Sequence, residues 1–237
     1  MWNIDLTLMD VVRVSREAYA EAFRRVTGRP LVALPQLAGR SDSEIFFESL
    51  ALNDVPATPA GTSQELLARY TGELAETFGA RRDLLTQHGR LLPGAAAAVQ
   101  ATASMPGVLQ SVLTGAIRPN AAVKLAAFGL SDYFDLDIGG FGADAYPRGS
   151  QLLRCGTRAE EKYHTRVPAG ATVYLADSGR DVEAARIAGV TCIAVASGRS
   201  TTSDLTAAGA DLVLADLSDT AGVTAAVDRL TAAAATR

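Results

Sequence analysis

The chain has 237 residues, 48% hydrophobic and 20% charged, with a formal net charge of −4. That length suits one large domain or a core with a modest insertion, and no apolar run is long enough to span a bilayer. The balance is slightly acidic and the basic residues are scattered, which argues against nucleic acid as a partner.

The first ten residues, MWNIDLTLMD, begin with a short apolar run that presents Asn3, Asp5 and Thr7 in alternation. Residues 2–5 read as a buried strand whose end brings Asn3 and Asp5 close together. Residues 14–27 read as an amphipathic helix, with Val14, Ala18, Ala22 and Val26 in one stripe and a stop at Gly28 and Pro30. Residues 39–88 hold further helical patterns, chiefly 42–52 (Ile45, Phe46 and Leu50 inward) and 63–78, with no strand signal between them. Gly28, Pro30 and the polar stretch 53–63 read as mobile joints.

From Leu92 the character changes. An Ala-rich helix opens at Pro93-Gly94, and 108–113 reads as a strand ending in Thr114-Gly115. A helix follows from Pro119 to Phe128, closed by Gly129. Strands are expected at 134–138, 172–175, 190–196 and 211–215. Residues 158–166 read as a polar surface loop carrying Lys162 and an exposed His164. Helices are expected after Asp177, stopping at Gly189, and over 218–235. Strands alternating with helices predict an α/β fold with a doubly wound parallel sheet. Such sheets place their sites beyond the carboxyl ends of the strands. Asn3, Asp5, Thr114 and Asp177 all fall at predicted strand ends, which points to one shared site. Cys155 and Cys192 stand in neither a CxxC nor a zinc spacing and read as reduced, buried thiols. No signal peptide precedes the first strand, so a cytoplasmic location is expected.

These segments carry a family resemblance. MWNIDLTLMD resembles the first motif of the haloacid dehalogenase superfamily, apolar-Asp-x-Asp-Gly-Thr-Leu-x-Asp. The resemblance sets Asn3 in the place of the nucleophilic Asp, Asp5 in that of the acid/base Asp, and Leu6 in that of Gly; Thr7, Leu8 and Asp10 match. Thr114-Gly115 resembles the second motif, where a hydroxyl and an amide bind a phosphate oxygen. Asp177-Ser178-Gly179-Arg180-Asp181 resembles the fourth, Gly-Asp-Ser-x-x-Asp. The third motif supplies a lysine, and its place falls near Tyr146-Pro147-Arg148. Only Lys124 and Lys162 are lysines, so Arg148 or Lys124 is the candidate for that charge.

An all-helical insertion straight after the first motif resembles the cap of the phosphoglycolate phosphatase and β-phosphoglucomutase group. It implies a Rossmann-like core of residues 1–12 and 91–237 and a helical cap of residues 13–90. Gly39-Arg40-Ser41-Asp42 falls where related caps contact substrate. Arg40 is read there either as an anion ligand or as a solvated side chain before a helix capped by Ser41 or Asp42.

The resemblance implies a phosphatase-type hydrolase acting on a small phosphorylated metabolite. Magnesium would be held by Asp5, Asp177 and Asp181, and substrate by Thr7, Gly115 and Arg40. Asn3 departs from this, because a neutral carboxamide is a far weaker nucleophile than a carboxylate. The alternative is a catalytically impaired relative that acts as a ligand-binding, regulatory or altered-chemistry protein. The sequence fixes neither the substrate nor the oligomeric state.

Overall fold

The structure, a computed structural model, describes residues 1–56, 63–144 and 148–235. The chain enters at the centre of a parallel sheet, where Trp2 bridges Val112 on one side and Leu175 on the other. It then turns sharply through Asp5, Leu6 and Thr7 into β1 (Met9–Asp10).

Four helices follow. They are α1 (Val12–Thr27), α2 (Asp42–Leu52), α3 (Ser63–Gly79) and α4 (Leu84–His88). Helix α1 stops where Gly28 adopts φ 72°, a left-handed cap that a side chain would strain. Ser41 caps α2, in a reciprocal capping box with Glu44. Helices α1 and α3 pack along their lengths, and Phe46 of α2 stacks on Tyr70 of α3 at 4.0 Å. A two-residue strand, β2 (Arg90–Leu91), pairs antiparallel with β1 and ties the exit of this all-helical insertion to its entrance. Part of the expected joint at 53–63 (57–62) lies outside the described residues.

The remaining chain alternates. Helix α5 (Ala95–Ala103) leads to the extended segment around Val112, and α6 (Arg118–Ala127) starts with Pro119 in its first turn. Helix α7 (Arg148–Tyr163), β3 (Val173–Ala176), α8 (Gly179–Ala188), β4 (Thr191–Val195), α9 (Thr202–Ala207), β5 (Leu212–Leu214) and α10 (Thr220–Ala235) complete it. Strands β3, β4 and β5 pair in parallel in that order. Leu175 continues the pairing to Trp2, Trp2 to Val112, and Leu113 to Gly140. The result is a Rossmann-like, doubly wound sheet with an inserted helical cap.

Both faces of the sheet are buried, as crossover helices require. Val173 and Leu175 join a cluster with Trp2, Ile4, Phe23, Phe46 and Phe78. Tyr174 and Ala176, pointing the other way, join Leu152, Cys155, Val182 and Cys192.

Two expectations are corrected. Residues 134–138 form no strand, and Gly140 is the bridging residue instead. Asp135 turns the chain by accepting from the Asp137 amide at 3.0 Å, and both carboxylates are pulled outward by Lys162. Residues 158–163 belong to helix α7, because Leu152, Cys155 and Ala159 form a buried stripe at helical spacing beneath the charges. His164 is exposed, as expected.

Leu6 sits at φ 60°, a left-handed conformation in which a Cβ is strained by about 1–2 kcal/mol. The usual stability order should therefore invert here. Leu6→Gly is expected to unfold at higher denaturant than Leu6→Ala, by about 1 kcal/mol. Equal stability, or Ala above Gly, would show that the turn relaxes.

Candidate functional site

The turn after Trp2 lies beyond the carboxyl end of the central strand, and Asp177 follows the last residue of β3 beside it. Their backbones are locked by Asn3 N–H donating to Leu175 O at 2.8 Å. This register places the Asn3 side chain, only 5% exposed, against Asp177. Asn3 Nδ2 donates to Asp177 Oδ1 at 2.9 Å and to the Asp5 carbonyl at 3.0 Å. Thr7 Oγ1 donates to the same Asp177 Oδ1 at 3.0 Å. The other oxygen, Oδ2, faces Gly198 so closely that a Cβ there would lie 2.0 Å away. Burial first, and then the neighbouring Asp181 charge, push the Asp177 carboxyl up to about 7, against the pull of the Thr7 and Asn3 donors.

Arg148, the first residue of α7, reaches the same point. Its Nη2 donates to Asn3 Oδ1 at 3.2 Å and to the Tyr174 hydroxyl at 2.9 Å. Its Nε lies 3.0 Å from Asp181 Oδ1, a charge contact off the line of a hydrogen bond. Asp181 is wholly buried. Its Oδ1 accepts from Tyr174 at 2.8 Å and its Oδ2 from Ser178 at 2.5 Å. Ser178 also caps α8. Tyr146 and Pro147, beside the expected third motif, lie outside the described residues.

Lys124 serves the other carboxylate. It is 2% exposed on α6, and its Nζ bonds Asp5 Oδ1 at 2.8 Å and Oδ2 at 2.7 Å. The Phe78 ring lies 5.2 Å from the same ammonium. Both candidates for the third-motif charge are thus at the site, on different partners.

A small cavity of about 50 Å³ opens between the helical insertion and the strand ends. Asn3, Asp5, Leu6, Arg40, Gly115 and Arg148 line it. Thr114 lies just beneath, fully buried, with its Oγ1 accepting from the Ala116 amide at 3.2 Å. Arg40 is paired with Glu48, and its carbonyl touches Gly115 where any Cβ would clash. A larger cavity of about 420 Å³ lies at the opposite ends of the strands, around Trp2, Val108, Leu109 and Val173. Its walls are mainly apolar, and it shares no lining residue with the small cavity.

Several participants were not expected from the sequence. Tyr174 reads as an ordinary core aromatic in an apolar strand, yet its hydroxyl joins Arg148 to Asp181. Asp42 is anchored by Tyr19 Oη at 2.6 Å and by the Ile117 amide at 2.8 Å, and its own amide donates to Gly115 O at 2.7 Å. It therefore fastens the insertion to the loop after Val112. Burial pushes the Asp42 carboxyl upward, against the opposing pull of Lys124, Tyr19 and Ile117.

The carboxylates do not fit a divalent cation as they stand. Hard cations need free oxygen ligands. Both Asp5 carboxylate oxygens accept from Lys124, both of Asp181 from Tyr174 and Ser178, and Asp177 Oδ1 from Asn3 and Thr7, which leaves a single carboxylate oxygen, Asp177 Oδ2 beside Gly198, for a cation that needs several. Among the described residues no group of three His, Cys, Asp or Glu side chains is arranged to hold a metal. Likewise, no described helix is long and apolar enough to cross a membrane.

The pattern that defines haloacid dehalogenase-like hydrolases matches residues 1–186, and a HAD-hydrolase-like pattern matches residues 156–220. No curated protein matches the chain. Among solved structures, it resembles a protein described as a predicted phosphoglycolate phosphatase from Haemophilus somnus, at 16% identity and a TM-score of 0.65, covering 94% of this chain and 96% of that one. It also resembles CbbY from Rhodobacter sphaeroides in complex with phosphate, at 19% identity and a TM-score of 0.62, covering 92% and 93%. A HAD hydrolase of family IA, variant 3, from Entamoeba histolytica gives 17% identity and a TM-score of 0.66, covering 96% and 97%. These likenesses establish the fold, and the match over most of its length places the chain in the haloacid dehalogenase-like hydrolase family.

Proposed function

We propose that the chain binds a small phosphorylated metabolite at the phosphatase-type site of this family without turning it over at an enzymatic rate. The observation that carries the reading is the bonding of Asn3. Its oxygen accepts from Arg148, and its nitrogen donates to Asp177 and to the Asp5 carbonyl. A carboxamide held in this way offers no anionic oxygen to attack phosphorus.

In this reading residues 13–90 are the cap and residues 1–12 and 91–237 the core. Asn3 stands in the nucleophile's place and Asp5 in that of the acid/base. The guanidinium of Arg148 faces the ligand, and Gly115 and Arg40 line its entry. Lys124 holds the Asp5 carboxylate in place. Thr7 and Thr114 brace the strand ends, and a cytoplasmic location completes the reading. The relatives' ligands support the ligand class, since CbbY was solved with phosphate bound.

The test is a panel of small phosphate esters assayed with wild type and Asn3→Asp side by side. Wild type is expected to be silent, and the variant to gain several powers of ten in rate, each worth about 1.4 kcal/mol of barrier. Turnover by wild type at an ordinary enzymatic rate would overturn the reading.

A second prediction concerns pH. A carboxyl whose folded pKa is raised contributes stability fully present below its unfolded value near 3.8, and lost as pH rises through the folded value near 7. Wild type should therefore lose stability relative to Asp177→Asn between about pH 4 and 8, by up to about 4 kcal/mol. Parallel stability curves from urea unfolding across that range would show that Asp177 is not burdened by its burial.

A further inference from the structure

We propose that the Asn3 carboxamide replaces a divalent cation in this site, so that the protein takes an anionic ligand on Arg148 without metal. A cation bound between the end of the first strand and Asp177 would draw on the Asp5 carbonyl and an Asp177 oxygen. Those two acceptors are the ones that Asn3 Nδ2 already bonds, at 3.0 and 2.9 Å. One nitrogen bridging two acceptors brings partial positive charge to that point, fixed covalently and never released.

The amide cannot simply turn over to admit a metal. Rotating it would set Nδ2 against Arg148 Nη2, now 3.2 Å from Oδ1, donor facing donor. It would also strip Asp177 Oδ1 of one of its two donors in a buried place. Arg148 is itself pinned by Tyr174 and by the charge of Asp181, so it does not yield. The acceptors, the carboxamide and the guanidinium hold one another in a single orientation.

The positive charge toward a ligand then comes from Arg148, which lines the cavity beside Gly115. A guanidinium presents planar donors to a phosphate-type oxyanion. An arginine side chain stays protonated at any working pH. The ligand half of the proposal rests on the function proposed above; the metal half does not.

The test is isothermal calorimetry in three titrations. Magnesium chloride into metal-free wild type should give no binding heat in the millimolar range, whereas Asn3→Asp should bind at least about tenfold more tightly. Inorganic phosphate into wild type should bind equally well in chelator and in excess magnesium. Saturable magnesium binding to wild type that is lost in Asp177→Asn overturns the proposal, as does phosphate binding that requires the metal. The wild-type titrations are decisive alone, so a poorly folding Asn3→Asp does not leave the question open. The two readings also fail separately. Turnover by wild type in chelator would sink the silent-site reading and leave metal independence standing.

Discussion

Two cations lie buried beneath the strand ends, and much of the local architecture follows from the need to keep them paired. An unpaired ammonium or guanidinium in an apolar interior is costly enough that the fold must deliver a carboxylate to it. Lys124 receives Asp5 from 119 residues away, and Arg148 receives Asp181 across the carboxyl ends of the sheet. These pairings fix the first turn of the chain, helix α6, the start of α7 and the start of α8 against one another. Removing Asp5 leaves Lys124, and removing Arg148 leaves Asp181, as a buried charge alone, so the four positions behave as two units. The carboxamide of Asn3 lies between the units. It is tied to the Lys124 pair through the Asp5 carbonyl and to the Arg148 pair through its own oxygen.

The left-handed turn at Leu6 belongs to the same arrangement. Its carbonyl accepts from Ser197 Oγ at 2.7 Å, and its amide donates to Met9 O at 2.8 Å. The path of the backbone is thus fixed on both sides, and a leucine is carried in a conformation that glycine would occupy without strain. Its side chain lines the small cavity, so the strained residue narrows the space next to the carboxylates.

Much of this was legible in the sequence because periodicity and punctuation act locally. The apolar stripe Val14, Ala18, Ala22 and the stop at Gly28 define α1 with no knowledge of its partners. Asn3, Asp5 and Asp177 were legible because each closes an apolar run at a strand end, where a parallel sheet gathers its polar groups. The failures are equally physical. Phe134, Leu136 and Ile138 alternate as a strand does, but the intervening aspartates are held by Lys162 and Arg118 and turn the chain instead. Residues 158–163 look like solvated loop because charges outnumber the stripe that makes them helical. Tyr174 is silent in sequence because its role depends on two groups from other elements, Arg148 and Asp181. Lys124 was legible only as a lysine on a helix, since nothing local points to Asp5.

The fastening at Asp42 bears on how tightly any ligand is held. The back wall of the small cavity, at Gly115, and its front wall, at the start of α2, share hydrogen bonds and touch without room for a Cβ. A space of about 50 Å³ falls far short of the roughly 300 Å³ or more of a small-molecule pocket. Room for a metabolite would therefore require the bonds that cross from the insertion to the core, Asp42 with Ile117 and Gly115, to part, while the Tyr19 bond stays within the insertion. Those two bonds meet on the one residue Asp42, so they would part together. An affinity measured for such a ligand would then be the intrinsic affinity of the separated form scaled by its share of the population. A change at Tyr19, which holds the Asp42 carboxylate in place, would thus alter apparent affinity through the position of Asp42.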